Sequence, residues 1–129
     1  MNIEDLKFQD IFSGAKSRSQ LWIKVLKATD AKTIVEVGVW KGDFAKELLE
    51  ECKFIERYYM IDPWANLPDW NKPFNVDGQV FDDVYVAAMK KTAFASEKII
   101  VLSLNSEPKL PPTNNFHCQN AKTTIHKAY

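Results

Sequence analysis

The stretch from Thr33 to Phe44, TIVEVGVWKGDF, constrains the fold more than any other part of the chain. Thr33, Ile34, Val35 and Val37 form a short β-branched, apolar run, which suits a strand buried on both faces. Gly38 and Gly42 follow, and a helical pattern begins at once. Glycines at such a turn allow positive φ and let a ligand approach the main chain without meeting a Cβ. The first amides of the next helix are left free to donate hydrogen bonds. A buried strand running through a glycine turn into a helix is a common entry to a ligand site in α/β proteins. The same two glycines also suit a tight turn with no ligand.

The pattern repeats along the chain. Ser17 to Thr29 reads as a helix, with Leu21, Trp22, Val25 and Leu26 on one stripe, Lys24 and Lys27 opposite, and Ser17 or Ser19 as the cap. After the first strand, DFAKELLEECK is an amphipathic helix in which Phe44, Leu48 and Cys52 share a face. Tyr58 to Ile61 is a second short strand ending in Asp62-Pro63. The segment from Pro63 to Gly78, with three prolines and Trp64, Trp70 and Phe74 between them, is a long loop of the sort that covers a site or moves. Its tryptophans suit either a lid or anchors on the core. Val80 to Phe94 is a third helix, and KIIVLSL (98–104) a third strand. Residues 4 to 13 are weakly helical. Strands alternating with helices call for a parallel sheet with right-handed crossovers. From Ser106 onward the apolar period stops, leaving a loosely ordered tail or a weak terminal helix near Lys122 to Ala128.

Composition removes several function classes. The 129 residues carry seventeen basic and seventeen acidic side chains. Net charge therefore gives no reason to expect nucleic acid or an anionic membrane as partner. No apolar run approaches the ~20 residues that span a bilayer, and the N-terminus lacks a signal-peptide pattern. With only Cys52 and Cys118, a disulfide framework is excluded and a reduced, cytoplasmic setting is expected. His117, Cys118 and His126 fit no standard zinc spacing, so no metal is expected.

Three positions narrow the ligand. The dinucleotide fingerprint needs G-x-G-x-x-G, but Trp40 stands where its second glycine would be. That bulk argues against NAD or FAD. Lys41-Gly42 reverses the order a phosphate-cradling P-loop requires. Asp62 ends the second strand, where an acid in doubly wound folds accepts hydrogen bonds from ribose hydroxyls. It also suits a plain Asp-Pro turn.

VEVGVWKGDFAKEL followed by YYMIDPWAN resembles the first two motifs of class I S-adenosylmethionine-dependent methyltransferases, closest to the small-molecule O-methyltransferase-like branch. The resemblance runs from about Lys32 to Ser106. It implies an α/β fold, a Rossmann-like parallel sheet with flanking helices, its three strands in the order 3-2-1 of half a doubly wound class I methyltransferase sheet. It implies that Glu36 and the turn of Gly38, Val39, Trp40 and Gly42 hold the methionine part of S-adenosylmethionine. By the same resemblance Asp62 binds the ribose, Pro63 and Trp64 lie near the adenine, and Asn105 and Ser106 meet the adenine ring. Trp40 replaces a small residue of the general motif, so the turn's backbone must differ there.

Nothing after Ser106 matches the family's fourth strand, "DFVYIDG" in many members, which brings catalytic or metal-binding acids. Residues 1–106 are thus expected to be a partial cofactor-binding domain and 107–129 an irregular tail, as in a truncated or frameshifted product. Catalytic residues are not identified. The expected partner is a small-molecule methyl acceptor, with self-association through the open edge of the first strand. The alternatives are a non-catalytic module binding a nucleoside-type ligand or a protein, and a nicotinamide oxidoreductase.

Overall fold

The computed structural model describes residues 8–71 and 73–103. The elements run α1 (Phe8–Phe12), α2 (Arg18–Thr29), β1 (Thr33–Val37), α3 (Asp43–Glu51), β2 (Arg57–Ile61), α4 (Gly78–Thr92), a 3₁₀ segment (Ala93–Lys98) and β3 (Ile99–Leu102). Ser17 caps α2, its side chain accepting from the Gln20 amide. The strands form one parallel sheet in the order β1-β2-β3, with Val35 opposite Tyr59 and Tyr59 opposite Ile100. This is an α/β architecture with β2 central. Among the described residues no helix is long and apolar enough to cross a membrane. The expected tail, the metal-spacing residues His117, Cys118 and His126, and the first part of the expected helix at 4 to 13 lie outside the described residues.

Each step from β1 to β2 to β3 moves the chain in one direction. Right-handed crossovers that step one way stack their helices on one face. The burial pattern follows. Tyr58 and Met60 are fully buried and Glu36 nearly so, while Ile34, Ile99 and Val101 pack against the same core. The alternate residues point the other way, and Val35 and Val37 remain 58% and 76% exposed. The apolar run of β1 thus corrects the expectation of a strand buried on both faces. Its helix face is covered, and among the described residues its other face is not.

The core lies between the covered face and α3 and α4. Leu48, Leu49, Cys52, Ile55, Phe81, Val84, Tyr85 and Ala88 fill it. Cys52 is a fully buried, free thiol, pushed above its ordinary pKa first by desolvation. The stripe on α2 is less well covered, for Leu26 is buried but Trp22 is 47% exposed. The loop after β2 is cross-braced rather than open. Asn75 accepts from the Leu67 amide and donates to the Leu67 and Trp70 carbonyls, and Asn66 donates to the Val76 carbonyl.

Gly42, the N-cap of α3, has φ +78°, and a Cβ built there would sit 2.9 Å from the Ala88 Cα. Gly38 has φ +84° but nothing within 4 Å of a built Cβ. The two glycines therefore answer different demands. Gly38→Ala is expected to cost about 1–2 kcal/mol from backbone conformation alone. Gly42→Ala adds a helix-helix clash and is expected to cost about 2–4 kcal/mol. Urea midpoints of the two variants check this; equal losses would contradict the close approach of α3 to α4.

Candidate functional site

In a parallel sheet the strand carboxyl ends lie together, and ligands of open α/β sheets bind outside them. Here those ends carry the Gly38–Gly42 turn after β1, Asp62 to Trp64 after β2, and Ser103 after β3. They are stitched to one another. The Gly38 amide donates to the Ile61 carbonyl at 2.8 Å, and the Asp62 amide to the Leu102 carbonyl at 3.3 Å. Ser103 Oγ donates to the Pro63 carbonyl at 3.2 Å. Ser103 was not a sequence-level candidate, since a lone serine after a strand carries no signal.

Asp62 is the centre of this arrangement. Its Oδ2 accepts from the Val39 amide at 2.8 Å and the Trp40 amide at 3.0 Å. Its Oδ1 accepts from the Trp64 amide at 2.8 Å. The carboxylate is only 8% exposed. An ionised carboxylate offers about four acceptor positions; the described residues take three, which leaves one on Oδ1.

The two tryptophans take different roles. Trp64 is fully buried, stacks edge-on against Tyr85 with centroids 5.2 Å apart, and donates its indole N–H to the Trp40 carbonyl at 3.0 Å. It is a core anchor that ties the end of β2 to the turn. Trp40 has φ +56°, a left-handed conformation that costs an L-residue roughly 1–2 kcal/mol. Its ring packs edge-on against Phe74 and Phe81. The backbone at Trp40 thus does what glycine usually does, held there by Asp62 and by the ring contacts. Trp70, by contrast, is 48% exposed.

Glu36 sits two residues before Gly38 and faces the helix side. Its Oε2 accepts from the Tyr58 hydroxyl at 2.9 Å. Desolvation raises its pKa from 4.5 to about 7, against the lowering effects of that hydrogen bond and of Arg18. Burial first, and then the Glu36 charge, push the Tyr58 hydroxyl well above its ordinary range. Glu36 and Gly38 line a cavity of about 470 Å³ between α2 and β1, with Arg18, Trp22 and Phe44 among its other walls. The Arg18 guanidinium lies 4.5 Å from the Phe44 ring centroid. Tyr58 as partner of Glu36 was not foreseen; with parallel strands in register, a tyrosine on the adjacent strand was the available signal.

Glu36, Gly38, Val39, Trp40, Gly42, Asp62, Pro63 and Trp64 therefore all lie in or beside one strand-end cluster. Asn105 and Ser106 lie outside the described residues. Helix α3 begins at Gly42 with no side-chain cap. Among the described residues no group of three or more His, Cys, Asp or Glu is placed to hold a metal ion. No known family model, curated protein or solved structure matches this chain.

A carboxyl whose pKa is raised on folding binds its proton more tightly in the folded state. Its contribution to stability is therefore fully present below about pH 4.5 and is lost as pH rises towards 7. Glu36→Gln, which keeps the shape without the charge, is expected to gain stability relative to the parent across that window. Screening through the cavity mouth limits the gain to about 1–2 kcal/mol. Urea unfolding at pH 5 and pH 8 measures it; a difference that does not grow with pH would contradict a buried, proton-retaining Glu36.

Proposed function

We propose that this chain binds S-adenosylmethionine at the strand carboxyl ends, as the cofactor-binding part of a methyltransferase acting on a small molecule. The reading rests first on the convergence of Asp62 with the glycine turn. An acid ending the second strand is joined by two hydrogen bonds to the turn that ends the first. That junction is where a nucleoside ribose and the adjoining chain of a cofactor are held in doubly wound sheets.

The residues present fit such a ligand in four respects. The space beside Gly38 is open to 4 Å, so a ligand can approach the backbone there. The uncapped first turn of α3 offers amide donors to a carboxylate. Asp62 Oδ1 keeps an acceptor position for a hydroxyl. Glu36 adds a carboxyl that an ammonium group would draw into its ionised form. Pro63 and Trp64 bear on the adenine end differently. Trp64 is wholly enclosed, so it supports that end from beneath and offers no exposed ring for stacking. The Trp40 ring, partly exposed and packed edge-on against Phe74 and Phe81, is the aromatic surface the turn offers.

The cofactor supplies an already activated methyl group, so the protein's part is alignment of the acceptor and exclusion of water. Asp62 orients, the first-turn amides of α3 position, and Glu36 holds or releases a proton on its carboxyl, whose Oε2 accepts from the Tyr58 hydroxyl.

Calorimetric titration of the full chain with S-adenosylhomocysteine tests the reading. Saturable binding is expected, at least tenfold weaker in Asp62→Ala (about 1.4 kcal/mol), with no binding of NADH. Circular dichroism shows whether the variant is folded. A folded parent chain without saturable binding, or binding indifferent to Asp62→Ala in a folded variant, would overturn it.

A further inference from the structure

The face of the sheet that no helix covers among the described residues is a patterned surface. Val35, Tyr59 and Ile100 form one row across the three strands, and Val37, Ile61 and Leu102 form the next. Four of the six are exposed: Val35 and Val37 on β1, and Ile100 and Leu102 on β3 at 37% and 40%. Neither row contains a charge. Thr33 and Arg57 begin the preceding row, with Lys98 just before β3, so the cationic border lies at the amino ends of the strands.

We propose that a second copy of this chain covers this face. The two sheets pack face to face about a twofold axis, with the strands of the two copies antiparallel. Three features select this occupant. The surface is neutral, apolar and pleated, so it is complementary to itself at the ~10 Å spacing of stacked sheets. An antiparallel alignment sets the Arg57 and Lys98 border of each copy at the far end from its partner's, so like charges do not meet. The two rows expose on the order of 400 Å² per copy, the size of the largest apolar patch on an ordinary monomer, and such patches are often functional. Two copies together bury roughly 800 Å² through these rows, so the residues bordering them complete the roughly 1,000 Å² that a specific interface needs.

The face, and not the β1 edge, is the surface used. Lys32 and Gly38 bond to β2 through their carbonyl and amide groups. By strand parity the N–H and C=O groups of Thr33, Val35 and Val37 point outward from the edge. In the face-to-face arrangement those groups stay in water, where they lose nothing. Edge pairing would exchange water bonds for protein bonds at small net gain and leave both apolar rows wet. The proposal is independent of the cofactor reading.

Sedimentation equilibrium of the full chain up to roughly 100 µM tests it. The parent is expected at twice the monomer mass. Val37→Lys on β1 and Ile100→Lys on β3 are each expected to raise the dimer Kd at least tenfold. Both positions are solvent-exposed in the single chain, and circular dichroism confirms that the variants are folded. A parent chain that stays monomeric or forms open-ended assemblies would overturn the proposal. So would a dimer sensitive to Val37→Lys but not to Ile100→Lys, since Ile100 lies two strands from the β1 edge.

Discussion

One buried carboxylate holds the end of this sheet together. Asp62 accepts three backbone amides, two from the turn after β1 and one from the residue that enters the long loop. Hydrogen bonds to an ionised acceptor are roughly twice as strong as neutral ones. Without them Val39 and Trp40 would present unpaired donors at a mostly buried position. The left-handed backbone at Trp40 depends on this tie, because a bulky residue does not hold that conformation unaided. The Trp64 indole N–H on the Trp40 carbonyl closes the loop from the other side. Strand end, turn and loop entry thus form one unit, and the cluster of candidate residues is a consequence of it.

Topology accounts for the rest of the molecule's character. Two crossovers stepping the same way place α3 and α4 over one face of the sheet, and the core of Tyr58, Met60 and Leu48 forms there. The same rule leaves Val35 and Val37 uncovered. It also leaves β1 at an edge, with α2 leaning over it and a cavity between them. Glu36 lies on the wall of that cavity. It is buried enough to retain its proton near neutrality, and Tyr58 directs its hydroxyl to it. A raised pKa beside an opening is a common mark of a functional site, and here geometry and electrostatics coincide at a residue picked out by its place in the strand.

The local signals in the sequence were clear. A β-branched run ending at glycine marked β1 to the residue, Ser17 or Ser19 marked the start of α2, of which Ser17 is the cap, and Asp62 stood where a strand-ending acid should. What the sequence did not disclose was contact at long range. Gly42 reads as a turn glycine, yet its missing side chain is what admits Ala88, forty-six positions later. Trp64 reads as a loop aromatic, yet it is fully enclosed against Tyr85. The apolar composition of β1 is the same whether one face is covered or two, since coverage is set by the direction of the crossovers and not by the strand itself. Nor does spacing reveal that Asp62 spends three of its acceptor positions on the backbone.

That last point separates a structural acid from a ligand-binding one, and a single titration distinguishes them. The backbone amides of Val39, Trp40 and Trp64 all donate to the carboxylate that a ribose would also engage. Two-dimensional ¹⁵N–¹H spectra recorded through a titration with S-adenosylhomocysteine report on all three at once. If the strand-end cluster is the cofactor site, these three resonances shift together and saturate at one Kd. If they stay fixed while resonances elsewhere move, or if nothing moves in a folded chain, Asp62 serves the turn alone.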